Sequence, residues 1–321
     1  MKKFLIGLGI VIAILGGLWL YATGTPSVPE QSDFELDITA LRSMAMSQSG
    51  ALPEELNTLV VDKGQMPAWA AVAGSTAAPF DRVGVSYQIR YGDRYIVVDA
   101  ATPVDQASEV IAENLQLLKE MLIGAEKIVF THTHNDHIDL LKTMPELPDL
   151  VDNMVLTEAQ YNEPNFGIQG FPAGSLDQLE PLAYEQYYAL APGVVLIQSP
   201  GHTQGSQMVF IRLANGTEFL LVGDVVWNMA NVEMLRGRPR AIGAWFIQGR
   251  PGQVAHQIRT LHGLLETDVK IIVSHDAKQL NELVAANHVG QTFVKNIAVA
   301  PTPAATTETP EVSTAPDLTT D

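Results

Sequence analysis

The most informative absence in this 321-residue sequence is cysteine, of which there is none. Without thiols the chain can form no disulfide, thiol nucleophile, zinc–cysteine site or iron–sulfur cluster. Basic residues are also scarce, with 19 Lys and Arg against 36 Asp and Glu, and the formal net charge of −17 argues against a nucleic-acid partner. Histidine occurs only eight times. Any metal site must therefore draw its ligands from histidine, aspartate and glutamate.

One long apolar run occurs, at the N-terminus. Lys2 and Lys3 precede 19 apolar residues from Phe4 to Ala22, nearly the length of a bilayer span. This arrangement is typical of an uncleaved membrane anchor or of a signal peptide cleaved after Gly24, and a buried core helix is a third interpretation. Both leading interpretations predict a periplasmic or extracytoplasmic protein, and the uncleaved anchor would contact the membrane through this segment only.

The chain divides into four parts by composition. Residues 1–24 form the signal peptide or anchor, and residues 25–33 form a short polar linker. Residues 34–300 have the apolar content of a folded body. Residues 301–321 contain seven Thr, four Pro, four acidic residues and no base, which predicts a disordered tail.

Hydrophobic periodicity within the body predicts both strands and helices. The predicted strands are 83–91, 95–99, 127–130, 155–156, 194–198, 208–213, 219–222 and 269–273. Helices are predicted at 105–122 and 253–265, and Asn215-Gly216 predicts a type I′ turn between two strands. Strand hairpins mixed with crossover helices favour a layered α/β domain.

A histidine motif follows directly after the predicted strand 127–130. His132, His134, Asp136 and His137 form the pattern H-x-H-x-D-H. Two histidines two residues apart in an extended segment point the same way and can bind one metal ion. The Asp-His pair then turns into a helix and can face a second ion. Three solvated histidines on a loop are the alternative interpretation.

Three further candidate ligands, His202, Asp224 and His275, each follow a predicted strand. Loops beyond the carboxyl ends of strands are where open α/β proteins build their sites. A single histidine after a strand is a weak signal, but the three residues in this order, together with the motif, predict one metal site.

The complete set of seven residues resembles the metallo-β-lactamase superfamily over about residues 83–276. The resemblance implies an α/β (α+β) fold, a four-layer αββα sandwich with metals at one edge, and makes residues 34–300 a catalytic domain. It also implies a dinuclear site, in which His132, His134 and His202 bind the first metal, Asp136, His137 and His275 bind the second, and Asp224 bridges both.

The resemblance further implies a metal-dependent hydrolase with two zinc ions, with iron or manganese as alternative occupants. A metal-bridging hydroxide would attack an ester-like or lactone bond of a small molecule, and Asp136 would orient this nucleophile as well as bind metal. Asp99, at the end of a predicted strand, matches the family's acidic residue at that position and is expected to support a ligand. Asp276 is a weaker candidate for the same role.

Differences between this chain and the known branches of the family narrow the range of expected activities. Narrow-sense β-lactamases usually lack the bridging aspartate, so Asp224 and the absence of cysteine argue against antibiotic hydrolysis. Quorum-signal lactonases usually have a tyrosine three residues after the bridging aspartate, where this chain has Trp227, whose indole cannot supply a phenol hydroxyl. Glyoxalase II-like thioesterases share the ligands, but their glutathione substrate is cytosolic. A phosphodiesterase, a β-lactam hydrolase and a non-hydrolytic iron-binding oxidoreductase remain alternatives.

The segment between Asp224 and His275 holds six of the 19 basic residues. Guanidinium groups suit carboxylate, phosphate and sulfate, so Arg238 and Arg240 are candidates to bind an anionic substrate, with a solvated surface loop as the alternative. Trp227 is a candidate to line a substrate pocket, and a place in the core is the alternative.

Overall fold

Two five-stranded sheets organise the chain in this computed structural model, which describes residues 2–103, 108–164 and 168–295. The predicted tail at 301–321, the end of the predicted body, and the start of the helix predicted at 105–122 lie outside the described residues. The first sheet has the order β1–β2–β3–β4–β5, and the second has the order β10–β9–β8–β7–β6.

The strands take their order from short hairpins and crossover connections. In the first sheet β1, β2 and β3 are antiparallel, whereas β3, β4 and β5 are parallel. In the second sheet β6 to β9 are antiparallel and β10 is parallel to β9. The strands are β1 (Glu55–Met66), β2 (Phe80–Tyr91), β3 (Arg94–Val98), β4 (Lys127–Val129), β5 (Met154–Val155), β6 (Tyr187–Ala191), β7 (Val194–Gln198), β8 (Gln207–Arg212), β9 (Glu218–Leu221) and β10 (Lys270–Ile272).

Ten α-helices lie within the described residues. They are α1 (Lys2–Thr23), α2 (Ile38–Ala45), α3 (Ala68–Ala71), α4 (Glu109–Ile123), α5 (Asn135–Lys142), α6 (Leu147–Leu150), α7 (Glu158–Tyr161), α8 (Met229–Glu233), α9 (Pro251–Leu264) and α10 (Ala277–Ala285). A π-helical segment, Ala241–Phe246, precedes α9.

The side chains of each strand alternate between two apolar layers, as the period of two requires. In β7, Val194 and Leu196 are buried between the two sheets, where they join side chains of β2 and β8. Val195 and Ile197 point to the outer face, where they pack with α2 and α9. The outer face of the first sheet packs on α4 and α5. The four-layer αββα sandwich is therefore confirmed.

The N-terminal helix α1 lies outside these layers. Its residues Phe4–Thr23 are long and apolar enough to cross a membrane, and none of this span is buried within the chain. The predicted linker after it is not a free tether. Val28 packs on the outer cluster of the second sheet, and Ser32 Oγ donates a hydrogen bond to the His256 carbonyl oxygen of α9 at 2.8 Å.

The periodicity analysis found eight strands to within a few residues but did not find β1 or β6. The turn at Asn215-Gly216 is present, but the type I′ assignment is wrong. A type I′ turn needs positive φ at both central residues, but only Gly216 of this pair has it, at 86°. Gly216 N donates to the Leu213 carbonyl oxygen, and Leu213 N donates to the Thr217 carbonyl oxygen. This pattern is a type I turn followed by a left-handed glycine in a bulge.

The carboxyl ends of β4 and β9 approach each other at the edge where the candidate ligands lie. Gly223 follows β9 with a φ of 53°, a conformation that L-residues rarely adopt. A Cβ at Gly223 would lie 2.8 Å from Cβ of Thr131, which follows β4. Glycine thus permits the close contact of two loops, one from each sheet.

Gly223→Ala is therefore expected to lower the free energy of unfolding by roughly 2–4 kcal/mol, through backbone strain and overlap with Thr131. Urea unfolding of the detergent-solubilised chain measures this. Gly252→Ala in α9 is the matched control, since nothing lies within 4 Å of its Cβ position. Equal stability of the two variants would show that the contact is not tight.

Candidate metal centre

Each of the seven predicted ligands lies at the carboxyl end of a strand or in the helix that follows. His132 and His134 come after β4, and Asp136 and His137 occupy the first turn of α5. The remaining three follow β7, β9 and β10 of the second sheet, and they are His202, Asp224 and His275. Packing of the two sheets brings these loops together, and the side chains form two adjacent groups that share Asp224.

The first group consists of three histidines whose ring nitrogens face one another. His132 Nε2 is 3.1 Å from His134 Nδ1 and 3.2 Å from His202 Nε2. The distance between His134 Nδ1 and His202 Nε2 is 2.9 Å. Asp224 Oδ2 lies 3.6 Å from His202 Nε2 and 3.9 Å from His132 Nε2. All four side chains are buried or nearly so.

The second group is built around the other oxygen of the same carboxylate. Asp224 Oδ1 lies 3.1 Å from His275 Nε2 and 3.3 Å from His137 Nε2. Asp136 Oδ2 is 3.6 Å from His275 Nε2 and 3.9 Å from His137 Nε2. Asp136 is the partly exposed member of the group, with 29% of its side chain accessible.

A fully buried carboxylate, Asp99, orients two of the histidines from behind. Its Oδ2 lies 2.8 Å from His137 Nδ1 and accepts a hydrogen bond from Thr131 Oγ1 at 2.8 Å. Thr131 Oγ1 in turn lies 3.2 Å from His132 Nδ1. Because the Thr131 hydroxyl donates its hydrogen bond to Asp99, Thr131 Oγ1 can accept a hydrogen bond from His132 Nδ1–H. In the neutral form of each ring the proton then lies on Nδ1, which leaves Nε2 available to a metal ion, as ligation requires.

The backbone of Asp99 has a φ of 63°, in the left-handed region. Aspartate and asparagine tolerate this conformation better than most residues do. Thr131 N also donates to Asp99 Oδ1 at 2.7 Å, so both carboxylate oxygens are held.

Backbone and indole groups fix two more ligands. His275 Nδ1 donates to the Val83 carbonyl oxygen at 2.7 Å, and Trp227 Nε1 donates to Asp224 Oδ2 at 2.7 Å. Asp276 does not support a ligand in this structure. Its oxygens accept from Gln279 N and Met229 N, so it caps α10 and ties that helix to α8.

Arg238 lies behind His202, with its guanidinium buried. It donates to the Asp224 carbonyl oxygen at 2.8 Å, its Nη2 is 3.0 Å from His202 Nδ1, and it lies 4.5 Å from the centre of the Trp227 ring. Burial lowers the pKa of Arg238 to about 10, which still leaves it charged at neutral pH. Its positive charge faces the back of the first group.

The two groups differ in their electrostatics. Burial lowers the pKa values of His132 and His202 well below 6.5 and that of His134 to about 4. Three neutral imidazoles therefore face one another in the first group.

In the second group the neighbouring carboxylates raise the pKa of His137 more than burial lowers it. The pKa of His137 is raised well above 6.5 because Asp99, Asp224 and Asp136 face it, although burial opposes protonation. Burial also opposes ionisation of Asp224, but His275 and His137 hold its pKa well below 3.8. The electrostatic potential at the second group therefore favours a positive charge.

The residues fit a pair of divalent metal ions. Three neutral imidazoles cannot all satisfy one another by hydrogen bonds, yet three ring nitrogens lie within 3.2 Å of each other. Nitrogens about 3.3 Å apart are what a tetrahedral zinc ion with bonds of 2.0–2.1 Å requires. In addition, the buried atoms His137 Nε2 and Asp224 Oδ1 make no hydrogen bond, which is uncommon for groups so deeply buried.

A cleft of about 680 Å³ opens onto the metal centre. His134, Asp136, Asp224 and His275 reach it from the candidate ligand set. Its other lining residues are Met66, Arg82, Thr102, Pro103, Asn135, Asp139, Trp227, Phe246 and Ile247. The predicted pocket-lining residue Trp227 is among them.

The two arginines predicted to bind substrate do not line this cleft. Arg238 is held behind His202, and Arg240 stacks its guanidinium 4.8 Å from the centre of the Tyr21 ring of α1. The anion-binding role predicted for them therefore stays a prediction without support from their positions.

Three features were not predicted from the sequence: Thr131 behind the ligands, Arg82 in the cleft wall and the contact of Arg238 with His202. Thr131 had a local signal, since it directly precedes His132 and follows β4. The other two depend on contacts between distant segments.

A sequence model of the metallo-beta-lactamase superfamily matches residues 80–275, which include all seven predicted ligands. No curated protein matches the chain.

Several solved structures are similar in fold. One is an N-acyl homoserine lactone hydrolase with the product N-hexanoyl-L-homoserine bound at its catalytic metal center, which is 16% identical, with a TM-score of 0.54 over 72% of this chain and 97% of that chain. A mutant of AiiA from B. thuringiensis, with N-decanoyl-L-homoserine at its active site, is 16% identical, with a TM-score of 0.55 over 72% and 97%. A probable metal-dependent hydrolase from Staphylococcus aureus is 15% identical, with a TM-score of 0.53 over 71% and 91%.

Asp99→Asn is expected to weaken binding of divalent metal by about 10–100-fold, because the amide no longer holds His137 and Thr131 as a carboxylate does. Asparagine keeps the left-handed backbone, so the fold is retained. Competition against a chromophoric chelator measures the affinity. Asp276→Asn is the control, because Asp276 caps α10 beside His275 without facing the ligands. Equal affinity of wild type and Asp99→Asn would rule out the orienting role.

Proposed function

This chain belongs to the metallo-beta-lactamase superfamily and is a metal-dependent hydrolase, and we propose that it uses two zinc ions to cleave an ester-like or lactone bond of a small molecule. The observation that carries the proposal is the pair of ligand groups that share the Asp224 carboxylate. Five imidazoles and two carboxylates, with no thiolate, suit zinc among the common divalent ions.

His132, His134 and His202 would hold one ion, Asp136, His137 and His275 the other, and Asp224 both. Ions held there supply Lewis acidity and lower the pKa of water towards neutrality. The protein's part is to hold its ligands in place, through Asp99, Thr131 and the Val83 carbonyl group, so that they need no rearrangement during the reaction.

In this proposal Asp136 is the residue that moves protons. It belongs to the second group, is partly exposed and lines the cleft. We assign it two roles, binding metal and accepting the proton of the attacking water for transfer to the leaving oxygen. Trp227 cannot share this work, because its only donor is used on Asp224.

The cleft walls favour an acyl substrate over a phosphodiester. Met66, Pro103, Trp227, Phe246 and Ile247 provide an apolar lining, which suits a hydrocarbon chain beside the scissile bond.

The charges of the cleft point the same way. Among the described lining residues Arg82 is the one Lys or Arg, and it is paired with Asp62 at 2.5 Å. Asp136, Asp139 and Asp224 are nearby carboxylates. A strongly anionic substrate gains little from such a surface. This arrangement supports an ester or lactone, the class of substrate whose product occupies the similar lactone hydrolase.

We expect the purified chain to contain two zinc ions and to hydrolyse acyl esters or lactones in preference to phosphodiesters and β-lactams. Asp136→Asn should reduce kcat/KM for the preferred substrate by at least about 100-fold, because it removes the proton acceptor. Asp149→Asn, an exposed residue of α6 outside the cleft, is the matched control.

Two results would contradict the proposal. One is hydrolysis that survives in Asp136→Asn. The other is native protein with a single iron ion and no hydrolytic activity, which would favour the oxidoreductase alternative.

A further inference from the structure

The outer end of α1 is docked on the body beside the metal centre. The Gly24 carbonyl oxygen, at the end of α1, accepts a hydrogen bond from Arg240 N at 2.8 Å, and the Arg240 guanidinium stacks on Tyr21. Thr25 lines a small cavity together with His202 and Arg238. Cleavage after Gly24 would remove the partners that hold Arg240, so these contacts favour an uncleaved anchor.

The segment that receives α1 leads directly into the mouth of the cleft. Six residues after Arg240, the π-helical segment ends at Phe246, which lines the cleft together with Ile247. Trp245 and Phe246 are nevertheless 58% and 78% exposed. The cleft mouth and the end of the apolar helix are therefore neighbours.

Two more exposed apolar side chains lie on elements connected to residues 236–250, the stretch that contains Arg240 and the π-helical segment. They are Trp69 of α3, 51% exposed, and Met234 after α8, 56% exposed. Ala73 N, just after α3, donates to the Gly237 carbonyl oxygen at 2.9 Å. We call Trp69, Met234, Trp245 and Phe246 the apolar rim. Large exposed apolar side chains on elements that are connected in this way indicate an interaction surface.

The charge of this edge differs from that of the whole chain. Residues 236–250 contain four arginines and no acidic residue, in a chain of net charge −17. Arg236 and Arg250 are exposed and Arg240 is partly so. Guanidinium groups bind phosphate well. Arginine beside exposed tryptophan is the combination found where proteins meet the headgroup region of a bilayer.

The dimensions of α1 place the rim at that level. Its 22 residues span about 33 Å at 1.5 Å per residue, close to the roughly 30 Å hydrocarbon core of a bilayer. Trp19 and Tyr21 lie at its outer end, where aromatic residues concentrate at the membrane interface. Since Arg240 stacks on Tyr21, the segment that carries Trp245 begins at the interface.

We propose that the apolar rim rests on the outer surface of the bilayer that α1 crosses, so that the cleft takes long-chain amphiphilic esters or lactones directly from the membrane. The lipid surface is the partner of the rim, and its phosphates are the partners of Arg236, Arg240 and Arg250. The substrate class rests on the proposed function, whereas the docking does not.

The absence of cysteine allows a direct test of docking. A single nitroxide spin label on Trp245→Cys, in the full chain reconstituted into phospholipid vesicles, is expected to collide more with lipid-soluble oxygen than with a water-soluble nickel chelate. Met46→Cys is the control, because Met46 is 57% exposed and lies beside Arg212 and Gly216, at the end of β8 far from the metal centre. Its label should show the reverse preference. Two labels with the same aqueous behaviour would overturn docking.

Two further measurements complete the test. The intact mass of protein from native membranes should include residues 1–24, and a chain that begins at Thr25 would overturn the proposal. Trp245→Ser should lower kcat/KM for a long-chain ester embedded in vesicles by at least about tenfold, through lost apolar contact with lipid, and leave that for a short soluble ester unchanged. Equal losses on both would overturn delivery from the membrane.

These outcomes are separable from the chemistry. A label immersed in lipid, with no hydrolysis of any ester, would overturn the proposed function and support the docking. Hydrolysis of soluble esters by a protein whose label stays in water would support the proposed function and overturn the docking.

Discussion

The Asp224 carboxylate lies between two groups of imidazole nitrogens, with one oxygen towards each. A buried carboxylate is costly unless positive charge or hydrogen bonds compensate it. Here Trp227 donates to one oxygen, and His275 lies 3.1 Å from the other. For Asp224 to lie between the two groups of imidazoles, loops from both sheets must meet at one edge. Gly223, just before Asp224, permits that meeting because a side chain there would overlap Thr131.

Support for the histidine ligands comes from three strands of the first sheet and from different chemical groups. Asp99 holds His137 directly and reaches His132 through Thr131, whereas His275 is held by the Val83 carbonyl group. The first group is neutral and backed by a buried arginine, and the second lies among carboxylates. A cation would be favoured most in the second group, since negative charge converges there.

The ligand set was predictable because its residues follow strands, and strands with apolar alternation are visible in sequence. Five of eight histidines fall into that set, and Asp99 could be anticipated from its place at a strand end. β1 and β6 were missed for a physical reason. In β1 five residues at its ends are only partly buried or exposed, and in β6 only Leu190 is fully buried, so neither alternates cleanly. Edge strands take their conformation from the neighbour to which they bond.

The sequence by itself determined the candidate metal ligands, the layered fold and the apolar N-terminal segment, because each depends on residue type and short-range spacing. Only the tertiary structure decided what the arginines contact, since their partners are distant along the chain. Arg238 lies behind His202 and Arg240 on the end of α1, contacts that connect residues more than 30 and more than 200 positions apart. The closeness of the cleft mouth to α1 is likewise a product of packing, and no local pattern encodes it.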